Sequence, residues 1–201
     1  WIGGDLGYTN DPTELVVFRE TREEERTRVK LVLRFHMERV AYPHISVVIA
    51  LLDRCYGPMG IGVDRGGNSL AVVQELTTLD KFRCQDMEKR LHGYVFGGSV
   101  TVALPDGEPL KPRATEYMTS LVNRAFQRRE LLLPVDDIEI EDEFTTHTYT
   151  LSNGNVVYSK GNDHVVDAVR CAMLVRDQER LDQLTEVVPC LIPLMTDPVF
   201  I

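Results

Sequence analysis

The chain contains no apolar stretch approaching the roughly 20 residues that a membrane-spanning helix needs, and no basic segment leads into an apolar one as in a secretion signal. It has no CxxC pair. Its four cysteines, Cys55, Cys84, Cys171 and Cys190, are scattered, which argues against structural zinc or a disulfide framework and fits reduced thiols in a cytoplasm. No GxGxxG follows an apolar strand, so a Rossmann dehydrogenase is disfavoured, and no GxxxxGK[ST] phosphate loop occurs anywhere. Internal repeats, low-complexity tracts and an obvious Ser/His/Asp set are absent as well. Positive charge is the scarcer sign: 22 Lys and Arg against 31 Asp and Glu leave a net charge of −9. That balance weighs against a nucleic-acid partner, because phosphates are held by lysine and arginine.

What is present suits a single α/β domain with a mixed sheet. The length of 201 residues and a hydrophobic share of 43% allow one sizeable core. "WIGG", "TELVVFRE" and "TRVKLVLRFHMER" read as three strands in an antiparallel meander, the last two separated by the acidic turn "TREEER". "HISVVIALLDRC" places Ile45, Val48, Ile49 and Leu52 at helical spacing, and "MGIGVD" after it reads as a strand reached by a parallel crossover. A helix over "NSLAVVQELTTL", a strand at "GYVFGG" and a long amphipathic helix over "ATEYMTSLVNRAFQRREL" follow. "THTYTLSNGNVVYSK" predicts a hairpin turning at Asn153-Gly154. "DHVVDAVRCAMLVR" predicts a last helix with Asp163 near its start, and the tail "PCLIPLMTDPVFI" reads as irregular. The chain lacks an initiator methionine and begins inside a strand, so we expect a piece of a longer protein.

Carboxylates stand at the ends of apolar segments in three places: Asp5 with Asp11, Asp64 in "GIGVDRGGN", and Asp163 with Asp167 in "NDHVVDA". Taken singly, Asp5 and Asp64 look like turn residues, Asp163 like a helix cap, and Asp11 before Pro12 like a turn start. Taken together they read differently. If "WIGG" and "MGIGVD" are parallel neighbours, Asp5 and Asp64 share the C-terminal sheet edge where α/β proteins bind ligands. Asp163 and Asp167 share a helix face. Carboxylates gathered this way repel unless a cation sits among them, and hard oxygen ligands select magnesium or manganese.

The segments "GGDLGYTNDPT", "GIGVDRGGN" and "DHVVDAVRCAM", in this order, resemble the nuclease domain of tailed-phage terminase large subunits, with Cys171 where an aromatic is usual. The resemblance spans nearly the whole chain. It implies a ribonuclease H-like fold, a mixed sheet flanked by helices with an auxiliary β-hairpin near the active site, in one nuclease domain covering residues 1–201. It also implies endonucleolytic cleavage of double-stranded DNA during viral genome packaging, using two Mg²⁺ or Mn²⁺ ions. Carried onto this chain, Asp5 would bridge both ions and Asp64 would hold one. Asp163 or Asp167 would be the helix ligand, and Asp11 an additional acid. The missing phosphate loop then means that the packaging ATPase domain is not part of this sequence. The implied partners are that domain, a small terminase and the portal, in the cytoplasm of an infected bacterium.

His147 and Lys160 flank the hairpin; His147 is a candidate proton shuttle or ligand, as is His164, although an exposed strand histidine is the plainer reading of His147, and Lys160 is given no role. The basic stretches "RVKLVLRFHMER", "KPR" and "RAFQRRE" read mostly as solvated faces, so we expect weak, salt-sensitive, sequence-independent DNA binding. Two rival readings remain. "GGDLGYTN" also resembles the first phosphate loop of actin- or sugar-kinase-like ATPases, though no second core or adenosine loop is found. Alternatively the fold serves as a non-catalytic interaction module, its carboxylates being turns and caps.

Overall fold

The computed structural model describes residues 1–7, 11–23, 26–102, 108–152, 155–158 and 161–187; the Asn153-Gly154 pair, Lys160 and residues 188–201 lie outside them. The meander is present: β1 (Ile2–Asp5) pairs antiparallel with β2 (Thr13–Glu23), and β2 with β3 (Arg26–Met37). α1 (Tyr42–Tyr56) has Pro43 in its first turn, where a missing N–H costs nothing, and buries Ile45, Ile49 and Leu52. It returns the chain to β4 (Ile61–Asp64), which lies parallel to β1 as expected. A 3-10 turn (Gly67–Ser69) leads into α2 (Leu70–Thr78).

Two stretches depart from the expectation. A 3-10 segment (Asp80–Gln85) and α3 (Met87–Arg90) fill the run before the next strand, β5 (Leu91–Tyr94). The strand expected at "GYVFGG" thus starts earlier and ends at Tyr94. Leu91 and Tyr94 are its buried residues, and the chain turns immediately after, with Gly98 N–H donating to the Val95 carbonyl at 2.9 Å. α4 (Ala114–Gln127) is the anticipated amphipathic helix. The acidic run beyond it holds β6 (Leu131–Leu132) and α5 (Ile138–Thr146), neither of them foreseen. Only Ile140 and Glu143 of α5 are buried, so its sequence carries almost no apolar period. β7 (Tyr149–Ser152) and β8 (Asn155–Tyr158) form the predicted hairpin as a separate two-stranded sheet, and α6 (His164–Val187) closes the described fold.

The main sheet runs β5-β4-β1-β2-β3-β6, the mixed order of a ribonuclease H-like fold. Side chains alternate across it. Ile2, Leu15, Val17, Ile61 and Val63 pack with α1 and α2 on one face, while Val16, Phe18, Val29 and Leu31 pack with α4 and α6 on the other. α6 lies directly on the strands because Gly3 and Gly62, partners in the parallel register, present no side chain to it. A methyl group on Gly3 would stand 2.0 Å from the Ala168 carbonyl oxygen, and one on Gly62 2.4 Å from that of Cys171. Farther along, polar pairs clamp the same helix. Tyr117 donates to Asp177 and Tyr94 to Gln178, both at 2.7 Å, and Arg176 Nε donates to Glu20 at 2.9 Å.

Candidate active site

Strand periodicity decides where the first two acids point. Asp5 is two residues beyond Gly3 and Asp64 two beyond Gly62, so both project toward the α6 face. One step past the Gly4–Val63 pair, they finish adjacent parallel strands at the same sheet edge. The start of α6 comes down on that edge because the glycines let the helix approach. Its placement is fixed from outside the helix: the Glu143 carboxylate, on α5 and only 3% exposed, accepts from the N–H groups of Val165 (2.8 Å) and Val166 (3.3 Å). This cap borrowed from another element satisfies donors that the helix itself cannot.

Asp5 and Asp64 therefore face the start of α6, and the charge of Asp5 is felt by both Asp64 and Asp167. Burial raises the Asp5 carboxyl above its ordinary range, a hydrogen bond with His164 opposes the shift, and the charges of Asp163 and Asp11 add to it. Asp64 is pushed up to about 6, first by burial and further by Asp5, while the Gly66 N–H donated to Oδ1 at 2.8 Å works the other way. Asp167 is pushed up to about 7 by burial, against the pull of Arg170, with Asp5 and Asp163 adding to the rise. The buried Cys171 thiol, one turn below Asp167, is raised well above its usual value by burial and then by Asp167, Asp64 and Asp5.

Two internal cations compensate part of this charge. His164 Nδ1 is 2.7 Å from Asp5 Oδ2, and that bond raises the imidazole to about 9. Arg170 Nη1 donates to Asp167 Oδ1 at 2.6 Å. No three His, Cys, Asp or Glu side chains among the described residues stand close enough to enclose an ion. By chemistry the set nonetheless fits a hard divalent cation. It offers several carboxylates on three elements, crowded and partly desolvated, with fewer positive partners than negative groups.

The remaining candidates are placed as follows. Asp11 is exposed and touches the cluster only through its charge on Asp5. Asp64 is a turn residue, as its bond to Gly66 shows, so the plain reading holds for it. His147 is not an exposed strand residue. It caps the C-terminus of α5, is half-buried and accepts a hydrogen bond from Arg170 at Nε2. Lys160 lies outside the described residues. Sequence reasoning missed Glu143 and Arg170. Nothing local marks Glu143, whereas Arg170, three residues past Asp167 on a helix, is an ion-pair spacing that could have been read.

No protein-family model matches the sequence, and no curated protein does. Solved structures do. The large terminase nuclease of thermophilic phage G20c, with bound magnesium, superposes with a TM-score of 0.60 at 16% identity, over 86% of this chain and 79% of that one. The nuclease domain of the bacteriophage SPP1 large terminase, with bound manganese, gives 0.52 at 18% identity, over 88% and 85%. The large terminase of a second thermophilic bacteriophage gives 0.56 at 14% identity, and there the match spans 86% of this chain but only 38% of that protein. At such identities the likeness is one of fold: the chain has the ribonuclease H-like architecture of these nuclease domains.

Proposed function

We propose that this domain is a divalent-metal-dependent endonuclease that cuts double-stranded DNA, the nuclease portion of a phage terminase large subunit. The observation that carries the proposal is the placement of Asp5 and Asp64 at the ends of adjacent parallel strands, facing the start of the helix that bears Asp167, with Asp163 just before it. Solved nuclease domains of the same fold carry magnesium, manganese or cobalt, which supports a metal at this edge.

Asp5, Asp64 and Asp163 or Asp167 would together hold the Mg²⁺ or Mn²⁺ ions. Asp11 would serve at the rim. When bound, the ions would supply Lewis acidity and lower the pKa of a coordinated water, the usual two-metal route to phosphodiester hydrolysis. The chain's own residues position and compensate. Glu143 seats the helix that brings Asp163 and Asp167, His164 orients Asp5, and the β7–β8 hairpin stands beside the site. The substrate contact is with the DNA backbone, independent of sequence and sensitive to salt. Residues 1–201 would work as one nuclease domain of a longer chain that carries the packaging ATPase, with a small terminase and a portal as partners, in the infected host's cytoplasm.

The test is incubation of supercoiled plasmid with the protein and Mg²⁺, Mn²⁺, Ca²⁺ or EDTA. Nicking and linearisation are expected with Mg²⁺ or Mn²⁺, and no cleavage with EDTA. Asp5→Asn is expected to abolish cutting while leaving the circular dichroism spectrum unchanged. Cleavage by Asp5→Asn at the wild-type rate would overturn the assignment.

A further inference from the structure

Arg170 is the bulkiest fully buried side chain among the described residues, and cutting chemistry as set out above gives it no task. Its guanidinium joins three elements. Nη1 donates to Asp167 Oδ1 on the same helix at 2.6 Å, and Nη2 donates to His147 Nε2 at the end of α5 at 2.8 Å. The guanidinium carbon lies 5.0 Å from the centre of the Tyr158 ring on β8. The His147 and Tyr158 rings are themselves stacked, 5.5 Å apart and 14° from parallel. Its Nε has no hydrogen-bond partner among the described residues. A cavity of about 200 Å³ adjoins the group, bounded by Val122, Phe144 and Tyr149 among others.

We propose that Arg170 is a positioning residue that makes the seat of the hairpin and the orientation of Asp167 a single variable. The inference rests on reading the acidic cluster as a cation site. The guanidinium is planar and its two terminal nitrogens point in fixed directions, so a ring that fixes the plane also fixes where Nη1 holds Asp167. With Oδ1 occupied, Oδ2 is the oxygen left to serve the cluster with Asp5 and Asp163. Tyr158 and His147 fix the plane from the hairpin side. A two-stranded hairpin has little stability of its own, so these ring contacts also tether β7–β8 to the body of the domain. The adjoining cavity leaves room for the rings to shift. Coupling of this kind is reciprocal: a cation that orders Asp167 must also order the hairpin.

The experiment measures Mn²⁺ binding by electron paramagnetic resonance of the free ion, together with hydrogen exchange of the hairpin amides. Wild type is expected to bind Mn²⁺ and to slow exchange across Tyr149–Ser152 and Asn155–Tyr158 when it does. Tyr158→Ala is expected to bind roughly tenfold more weakly, the size seen when an outer-shell support is removed, and to lose the Mn²⁺-dependent protection. Tyr158→Phe, which keeps the ring, should behave as wild type. Arg170→Lys, which keeps the charge but not the fork, should behave as Tyr158→Ala; if it does not fold, the two Tyr158 variants decide. Wild-type affinity in Tyr158→Ala, or a loss in Tyr158→Phe equal to that in Tyr158→Ala, overturns this inference alone. Failure of the wild type to bind Mn²⁺ overturns it together with the nuclease reading.

Discussion

Two groups of acids lie within this fold, one around the buried Glu14 and one half-buried at a sheet edge, and they are compensated in opposite ways. On β2 and β3, Glu14 is 1% exposed, yet Arg34 grips it with two nitrogens, Nη2 at 2.8 Å and Nε at 3.1 Å, and His36 adds a further contact. The same arginine reaches Asp137 and Glu139 at the start of α5, and it is held more firmly charged first by Glu14 and then by these two. At the ends of β1 and β4 and the start of α6, Asp5, Asp64 and Asp167 each receive one direct donor among the described residues, and all three sit above their ordinary pKa range. A buried carboxylate whose oxygens are satisfied by its neighbours is architecture. One left short of partners in company with others is what the proposed function reads as a cation site.

The contrast can be broken most forcefully at its geometric root. Gly3→Ala drives a methyl into the α6 backbone and is expected to cost at least about 3 kcal/mol, the upper range for overpacking a core, read by urea denaturation. Cleavage should fall with it, because the helix that brings Asp163 and Asp167 must lift. Next, Arg34→Met leaves the buried Glu14 charge with His36 as its one remaining cationic partner among the described residues, and a loss of about 3 kcal/mol is expected. Asp5→Asn should change stability by less than about 1 kcal/mol in metal-free buffer, since removing a crowded anion relieves repulsion as it forfeits the His164 bond. If both substitutions cost the same, the two groups of acids are not different in kind. Glu143→Ala removes the borrowed cap of α6 and is expected to cost about 1 kcal/mol, with fraying seen first as faster exchange at Val165 and Val166.

The smallest effect is one of pH. The hydrogen bond to Glu14 raises His36 above its ordinary 6.5. A base whose folded pKa is raised contributes stability that is complete below the unfolded value and vanishes as pH climbs through the folded one. The stability gap between wild type and His36→Gln should therefore be widest below pH 6.5 and close on the alkaline side. A gap independent of pH would show that the contact is not a charged one.

Much of this was legible in the residues themselves. Strands rich in Val and Leu, a helix spaced on Ile45, Ile49 and Leu52, and the "GIGVD" strand gave away a mixed sheet, and with it the shared edge of Asp5 and Asp64. α5 was hidden because "DDIEIEDE" owes its helix to an Asp137 cap and to tertiary contacts through Arg34, not to an apolar stripe. β5 was displaced because its pairing with β4 puts Leu91 and Tyr94 inward, whereas Val95 is exposed in the turn beyond. Glu143 escaped notice for a similar reason: its partners, Val165 and Val166, lie more than 20 residues away.

The polar clamps on the later turns of α6 carry a mechanical implication. With Arg176, Asp177 and Gln178 each fastened to a different part of the domain, the helix behaves as a beam built in at one end and cannot slide along its axis. On the proposed reading of the site, adjustment to an ion of larger or smaller radius comes from rotation about carboxylate side-chain bonds, not from travel of the rod that bears them. Tolerance for ionic size becomes a property of a few torsion angles at the tip.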